Sequence, residues 1–225
     1  MRPARNWRRL PWRVEHQALP RIVSEGRKVL VRATHLHCRV EFQGPAHLGP
    51  GFHLDIPDAG SFIVGHGVDF RRGFVCEIHG NGRVEIGAGS IFTAHALLQC
   101  STSIEIGERC VFGQSVLIVD GYHRYGGSEG HWLDQGYDYR PITIGRWVGV
   151  SDKCTIQASV GEQSMIASHS VVNRPIPPFS LASGSPARVV RYFGPDDQRP
   201  MAVRPEGRSA RPDTVAAAEE DGTSR

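Results

Sequence analysis

A large apolar residue recurs at every sixth position across more than half of the chain. It falls on Ile86, Phe92, Leu98 and Ile104, slips by two residues, and resumes at Ile106, Phe112 and Ile118. It returns at Ile144, Val150 and Ile156 and continues through Val160, Ile166 and Val172. Helices repeat every 3.6 residues and strands every 2, so a period of six fits neither alone. It fits a short strand closed by a turn, reiterated. Weaker matches at Leu36, Phe42, Leu48, Leu54, Ile56, Phe62, Val68 and Phe74 predict degenerate coils upstream.

Strand alternation also turns inward the residue two places before each large one. Those positions hold Val84, Ser90, Ala96, Cys110, Val116, Val148, Cys154, Ser164 and Ser170, which are small or β-branched. The residue after the large one is small or a turn former: Gly87, Thr93, Gly107, Gly113, Gly145, Ser151, Gly161 and Ala167. This pattern predicts an all-β parallel β-helix of hexapeptide repeats, in which three units close a triangular coil and neighbouring coils bury one another. From about Ile78 to Phe193 the chain resembles the left-handed β-helix acyltransferases, the hexapeptide-repeat group that includes galactoside, maltose, serine and xenobiotic O-acetyltransferases. The left hand is implied by that resemblance, since parallel crossovers are otherwise right-handed.

The repeat stops between Val119 and Pro141 and resumes at once in "RPITIG", Arg140 to Gly145. An interruption of this length inside a regular coil predicts an extruded loop that supplies reactive groups which flat faces cannot. The stretches "DGYHRY" and "LDQGYDYRPITIG" resemble the family's active-site excursion, and the position matching its catalytic base is His123. Removal of a proton from a hydroxyl or ammonium during acyl transfer suits an imidazole, so no nucleophilic Ser or Cys is needed. Asp120 either orients His123 or shapes the loop through an Asx-turn. His131 is the rival base in the same loop.

The resemblance further implies a homotrimer with acetyl-CoA as acyl donor, lying in a cleft between subunits, and no metal. Its closing segment is matched by "SVVNRPIPPFSLASGSPARVVR", Ser170 to Arg191. Arg174, Arg188 and Arg191 are candidates to meet CoA phosphates, while Gly184 and Ala187 shape the backbone beside them. The chain departs from the family where Gly149-Val150-Ser151 replaces the usual "WIG", where "IQASVG" is two residues short, and at His169, which replaces a small turn residue.

The formal charge of +3 over 225 residues gives no argument for nucleic acid. The charge is uneven, however. Arg2, Arg5, Arg8, Arg9 and Arg13 occur without an acid, interleaved with Trp7, Leu10 and Trp12. Residues 1–35 are therefore a basic arm or cap: a solvated arm, a terminal helix on the first coil, or a weak foot on an anionic membrane. The β-helix domain is expected over 36–193, and the Arg, Pro, Ala and acid-rich tail 194–225 is expected to be disordered. Five cysteines without a CxxC pair predict reduced thiols. The lack of a secretory or membrane-spanning run predicts a cytoplasmic location.

The loop aromatics Tyr122, Tyr125, Trp132, Tyr137 and Tyr139 suit the faces of a carbohydrate acceptor or pack the loop on the coil. The leading expectation is O-acetylation of a sugar hydroxyl in surface polysaccharide biosynthesis. N-acetylation of an amino sugar and a catalytically silent trimeric scaffold are the alternatives. A zinc enzyme resembling γ-carbonic anhydrase is disfavoured, because no HxxxxH pair is present.

Overall fold

The computed structural model describes residues 19–126 and 130–199. Three parallel sheets take the strands of the chain in rotation. The first holds β1 (Arg39–Phe42), β4 (Ser61–Val64), β7 (Arg83–Ile86), β10 (Ser103–Ile106) and β15 (Ile142–Ile144). The second holds β2 (Ala46–Leu48), β5 (Val68–Phe70), β8 (Ile91–Phe92), β11 (Val111–Phe112), β16 (Gly149–Val150), β18 (Met165–Ile166) and β20 (Ser180–Ser183), and ends in the antiparallel strand β21 (Arg188–Tyr192). The third holds β3 (His53–Asp55), β6 (Val75–Ile78), β9 (Leu97–Cys100), β12 (Leu117–Val119), β17 (Thr155–Ile156) and β19 (Val171–Val172). The architecture is a left-handed parallel β-helix.

The six-residue period is the packing rule of its interior. The large residues from Ile86 to Val172 are all buried, as are the small ones two places earlier, from Val84 to Ser170. Register-paired residues stack along the axis: Phe70, Phe92 and Phe112 pair in successive coils, with ring centroids 5.4 and 4.6 Å apart and planes 14° and 7° from parallel. The upstream hits from Phe42 to Phe74 are also buried. Leu36 is the exception. It is exposed, because the first strand begins at Arg39, beyond the turn that follows α1 (Leu19–Thr34).

The glycines after the large residues serve axial spacing. A Cβ at Gly87 would lie 2.5 Å from the Glu108 nitrogen, and one at Gly107 2.5 Å from that of Arg146. The left-handed backbone of the corners falls two residues later and tolerates side chains. His95, Arg109, Ser115, Trp147, Lys153, Gln163, His169 and Phe179 adopt φ of 53–60° where earlier coils have Gly67, Gly73 and Gly89. Each of these residues donates its backbone N–H to a carbonyl of the preceding coil, as Trp147 does to Glu108 at 2.9 Å, which offsets the strain.

The arginine-rich residues 2–13 lie outside the described residues, as does the tail beyond Arg199. All five cysteines are free thiols, and Cys76, Cys100, Cys110 and Cys154 are buried. No described helix is long and apolar enough to cross a membrane.

Candidate active site

The excursion after β12 has regular structure of its own. Strands β13 (Gly121–His123) and β14 (Tyr137–Tyr139) form an antiparallel hairpin that pairs Gly121 with Tyr139 and His123 with Tyr137. A 3₁₀ turn, Trp132–Gln135, lies within its tip, and the Nδ1 of His131 accepts the Leu133 N–H at 3.2 Å. Arg124 pairs with Asp138 across the strands at 2.7 Å. At the base, the Arg140 N–H donates to the Asp120 carbonyl at 2.7 Å. A Cβ on Gly121 would run into the Tyr139 ring, so a side chain at the hairpin root would have to displace that ring.

Asp120 fixes that root to the coil beneath. Asp120 is 3 % exposed, and its carboxylate accepts from the Ser101 N–H at 2.8 Å, the Thr102 N–H at 2.6 Å and the Thr102 hydroxyl at 2.8 Å. Both oxygens therefore hold the corner of the preceding turn. Burial, with the Asp120 charge second, pushes the neighbouring Cys100 thiol up to about 12, so it stays protonated and unreactive near neutral pH. We expect Asp120→Ala to lower stability by about 1–3 kcal/mol, the cost of leaving such donors unmet. Urea melts check this, and an unchanged midpoint would mean that the carboxylate does not anchor the corner.

Between the hairpin and the coil lies an open cavity of about 470 Å³. His123 and the rings of Tyr122, Tyr137 and Tyr139 line it on the hairpin side, with His79, Gln99 and Ser101 on the coil side. The His123 ring lies 4.1 Å from that of Tyr137, which in turn stacks on Tyr139 at 5.6 Å. Gln99 is held by Glu77 at 2.8 Å, and the corner carrying His79 by the Asp58 carboxylate, which accepts the Gly80 N–H at 2.9 Å. His79 was not singled out by sequence. The register of β6 with β9 and of β9 with β12 brings His79, Ser101 and Gly121 to one corner of successive coils, with Asp120 one residue before it. Superposing the repeats, rather than searching for a motif, would have found it.

The structure brings together His123 and Asp120, and it places Arg174 on the same edge. Arg174 follows β19, which reaches β12 through β17, so it leaves the coil two turns on from the hairpin, roughly 10 Å along the axis. Gly184 and Ala187 lie elsewhere. Their turn covers β19, with the Val171 N–H donating to Gly184 and the Ala187 N–H to Val171. Arg188 and Arg191 are exposed on β21, the last strand of the second sheet. The hairpin leaves the edge between the third and first sheets, so in a three-sided coil that face is opposite His123. Arg188 also donates to its neighbour's carbonyl at 2.8 Å. Among the described residues no group of three or more His, Cys, Asp or Glu could hold a metal ion.

The β-helix has counterparts among known proteins. No family model matches the chain. It is 28 % identical over 189 residues to a probable acetyltransferase of Mycobacterium tuberculosis, covering 83 % of this chain and 56 % of the relative. It is 29 % identical over 146 residues to a UDP-3-O-acylglucosamine N-acyltransferase of Methylorubrum extorquens, covering 65 % and 36 %. The chain thus spans about half or less of the length of these curated relatives. A solved hexapeptide-repeat acetyltransferase of Vibrio cholerae, complexed with acetyl coenzyme A, matches with a TM-score of 0.52 and 20 % identity, covering 76 % of this chain and 79 % of that one. An N-acyltransferase of Bacillus cereus, in complex with dTDP and 3-hydroxybutyryl-CoA, matches at 0.55 and 12 %, covering 73 % and 88 %. In sequence and in fold, the chain is similar to the hexapeptide-repeat acetyltransferases.

Proposed function

We propose that the chain is an acetyl-CoA-dependent O-acetyltransferase acting on a sugar hydroxyl in polysaccharide biosynthesis, with His123 as general base. The observation that carries this reading is the placement of His123 at a cavity walled by tyrosine rings. Imidazole takes the proton of the acceptor hydroxyl as its oxygen attacks the acetyl carbonyl, and the CoA thiolate leaves once the tetrahedral intermediate collapses. Asp120 acts through the fold: by pinning the corner at Ser101 and Thr102 it holds the hairpin root, and so His123, in place. The aromatic walls suit the apolar faces of a sugar ring. The Vibrio cholerae neighbour solved with acetyl coenzyme A supports the donor.

The opposed positions of His123 and the β21 arginines favour a site shared between copies. In a homotrimer the hairpin of one copy meets a donor lying on the next, and Arg174, Arg188 and Arg191 meet CoA phosphates from surfaces that a single chain keeps apart. Activity is placed in the cytoplasm, where acetyl-CoA is made. Charge removal in Arg188→Ala/Arg191→Ala should then raise the acetyl-CoA KM several-fold while sparing kcat, because the phosphates lie far from the reacting carbonyl. Added salt should mimic the change. An unaltered KM removes both arginines from the donor site, as isolated exposed charges contribute little.

N-acylation of an amino sugar is the second reading, favoured by the two relatives named as N-acyltransferases, one of them solved with dTDP. Release of CoA thiol from acetyl-CoA, measured against glycans, nucleotide sugars and amino sugars, separates the readings. Turnover only with amino sugars selects the second, and no release with a trimer intact by light scattering selects a silent scaffold.

A further inference from the structure

The helix α1 is packed with the wrong face outward for a solvated cap. At about 100° per residue, Ile22, Val23, Gly26, Val29, Leu30 and Ala33 share an arc of roughly 120°. That arc faces solvent: Ile22 is 68 % exposed, Val29 65 %, Leu30 63 %, and Leu36 just beyond the helix 86 %. The inward face is largely polar, with Val31 packed against the core among the polar groups. Ser24 and Lys28 are buried, Ser24 Oγ accepts the Leu48 N–H at 2.8 Å, and Arg27 donates to the Leu48 carbonyl at 2.8 Å.

The cause is the surface the helix covers. Strand β2 is the open edge of the second sheet, with backbone donors and acceptors that no further coil satisfies. A polar helix face meets them, which leaves the apolar face pointing away. Terminal caps of repeat proteins normally present a polar outer surface. This one presents a hydrophobic stripe.

Charge decides what can cover it. Of the chain's 26 Lys and Arg and 23 Asp and Glu, nine and two respectively fall in residues 1–34, so this segment carries +7 and the remainder −4. Two copies meeting stripe to stripe would bring two such segments together, which disfavours a second copy as the occupant. An anionic bilayer attracts them. Polybasic residues gain about 1 kcal/mol each near such a surface, and Trp7 and Trp12, by sequence, are residues of the kind that settle at the headgroup level.

We infer that α1 docks the protein on an anionic membrane surface, laying Ile22, Val29, Leu30 and Leu36 into the headgroup boundary. The occupant is the lipid bilayer. Apolar burial and electrostatic attraction act together, so neither suffices alone.

The test is co-sedimentation of the full chain with vesicles of phosphatidylcholine alone and with about one-third phosphatidylglycerol. The protein should partition to the anionic vesicles and not the neutral ones, and should be released at about 1 M salt, where the screening length is about 3 Å. The triple variant Ile22→Ser/Val29→Ser/Leu30→Ser should lose at least about tenfold of that partition, with an unchanged thermal melt and unchanged mass by light scattering, because its substitutions are on the exposed face. Absence of anionic-vesicle binding, or equal binding by the triple variant, overturns the inference. Loss of a larger assembly in the triple variant, without vesicle binding by the parent, assigns the stripe to a second copy instead.

Discussion

His123→Ala should lower acetyl transfer at least about a hundredfold, the scale of a lost general base, without unfolding the protein. The hairpin that carries His123 is held by other groups: the β13–β14 pairing, the Arg124–Asp138 pair and the Asp120 carboxylate at its root. The large-residue interior is untouched, so the thermal melt should follow that of the parent. The measurement is thiol release at saturating acetyl-CoA, with donor binding followed separately by calorimetry. Loss of turnover with donor affinity retained places the imidazole at the reacting hydroxyl. Wild-type turnover in the folded variant would remove His123 from the mechanism and promote His131, whose Nδ1 here caps the 3₁₀ turn.

The interior of this fold is legible from sequence because axial stacking imposes one residue type at one phase. Each inward position touches its counterparts in the coils above and below, so Ile86, Phe92 and Leu98 cannot be exchanged for polar residues without burying them. Outward positions carry no such constraint. The left-handed corners at His95 and Trp147 are illegible for that reason, since solvent accepts any side chain there and the interstrand hydrogen bond, not glycine, sets the backbone; at His169 the sequence marks a turn but not its hand. Leu36 continued the period by chance and lies exposed before the first strand. The excursion was visible as an interruption, and its motif pointed to His123. Its hairpin was not visible, because β13 and β14 are three residues each, too short for alternation to register. His79 and the inverted face of α1 depend on which corners and edges the coil aligns, information that exists only once the turns are stacked.

The largest stability effect should come from Phe92→Ala. The ring of Phe92 is fully buried and lies 5.4 Å from Phe70, 5.0 Å from Phe74 and 4.6 Å from Phe112, so it joins one coil to both of its neighbours. In a repeat architecture stability is carried by such nearest-neighbour contacts, and removing this ring weakens two interfaces at once. The expected cost is about 3–5 kcal/mol, with a smaller cost for Phe92→Leu, which removes the ring but keeps a branched apolar side chain in the column. Val111→Ala serves as the control: Val111 sits on β11 beside Phe112, but its side chain points outward and is 45 % exposed, so the change should stay within about 0.5 kcal/mol. Urea melts of the three variants read the order directly. A Phe92→Ala midpoint close to that of Val111→Ala would mean that the coils are held by their backbone ladders, and that the aromatic column fills space without binding one turn to the next.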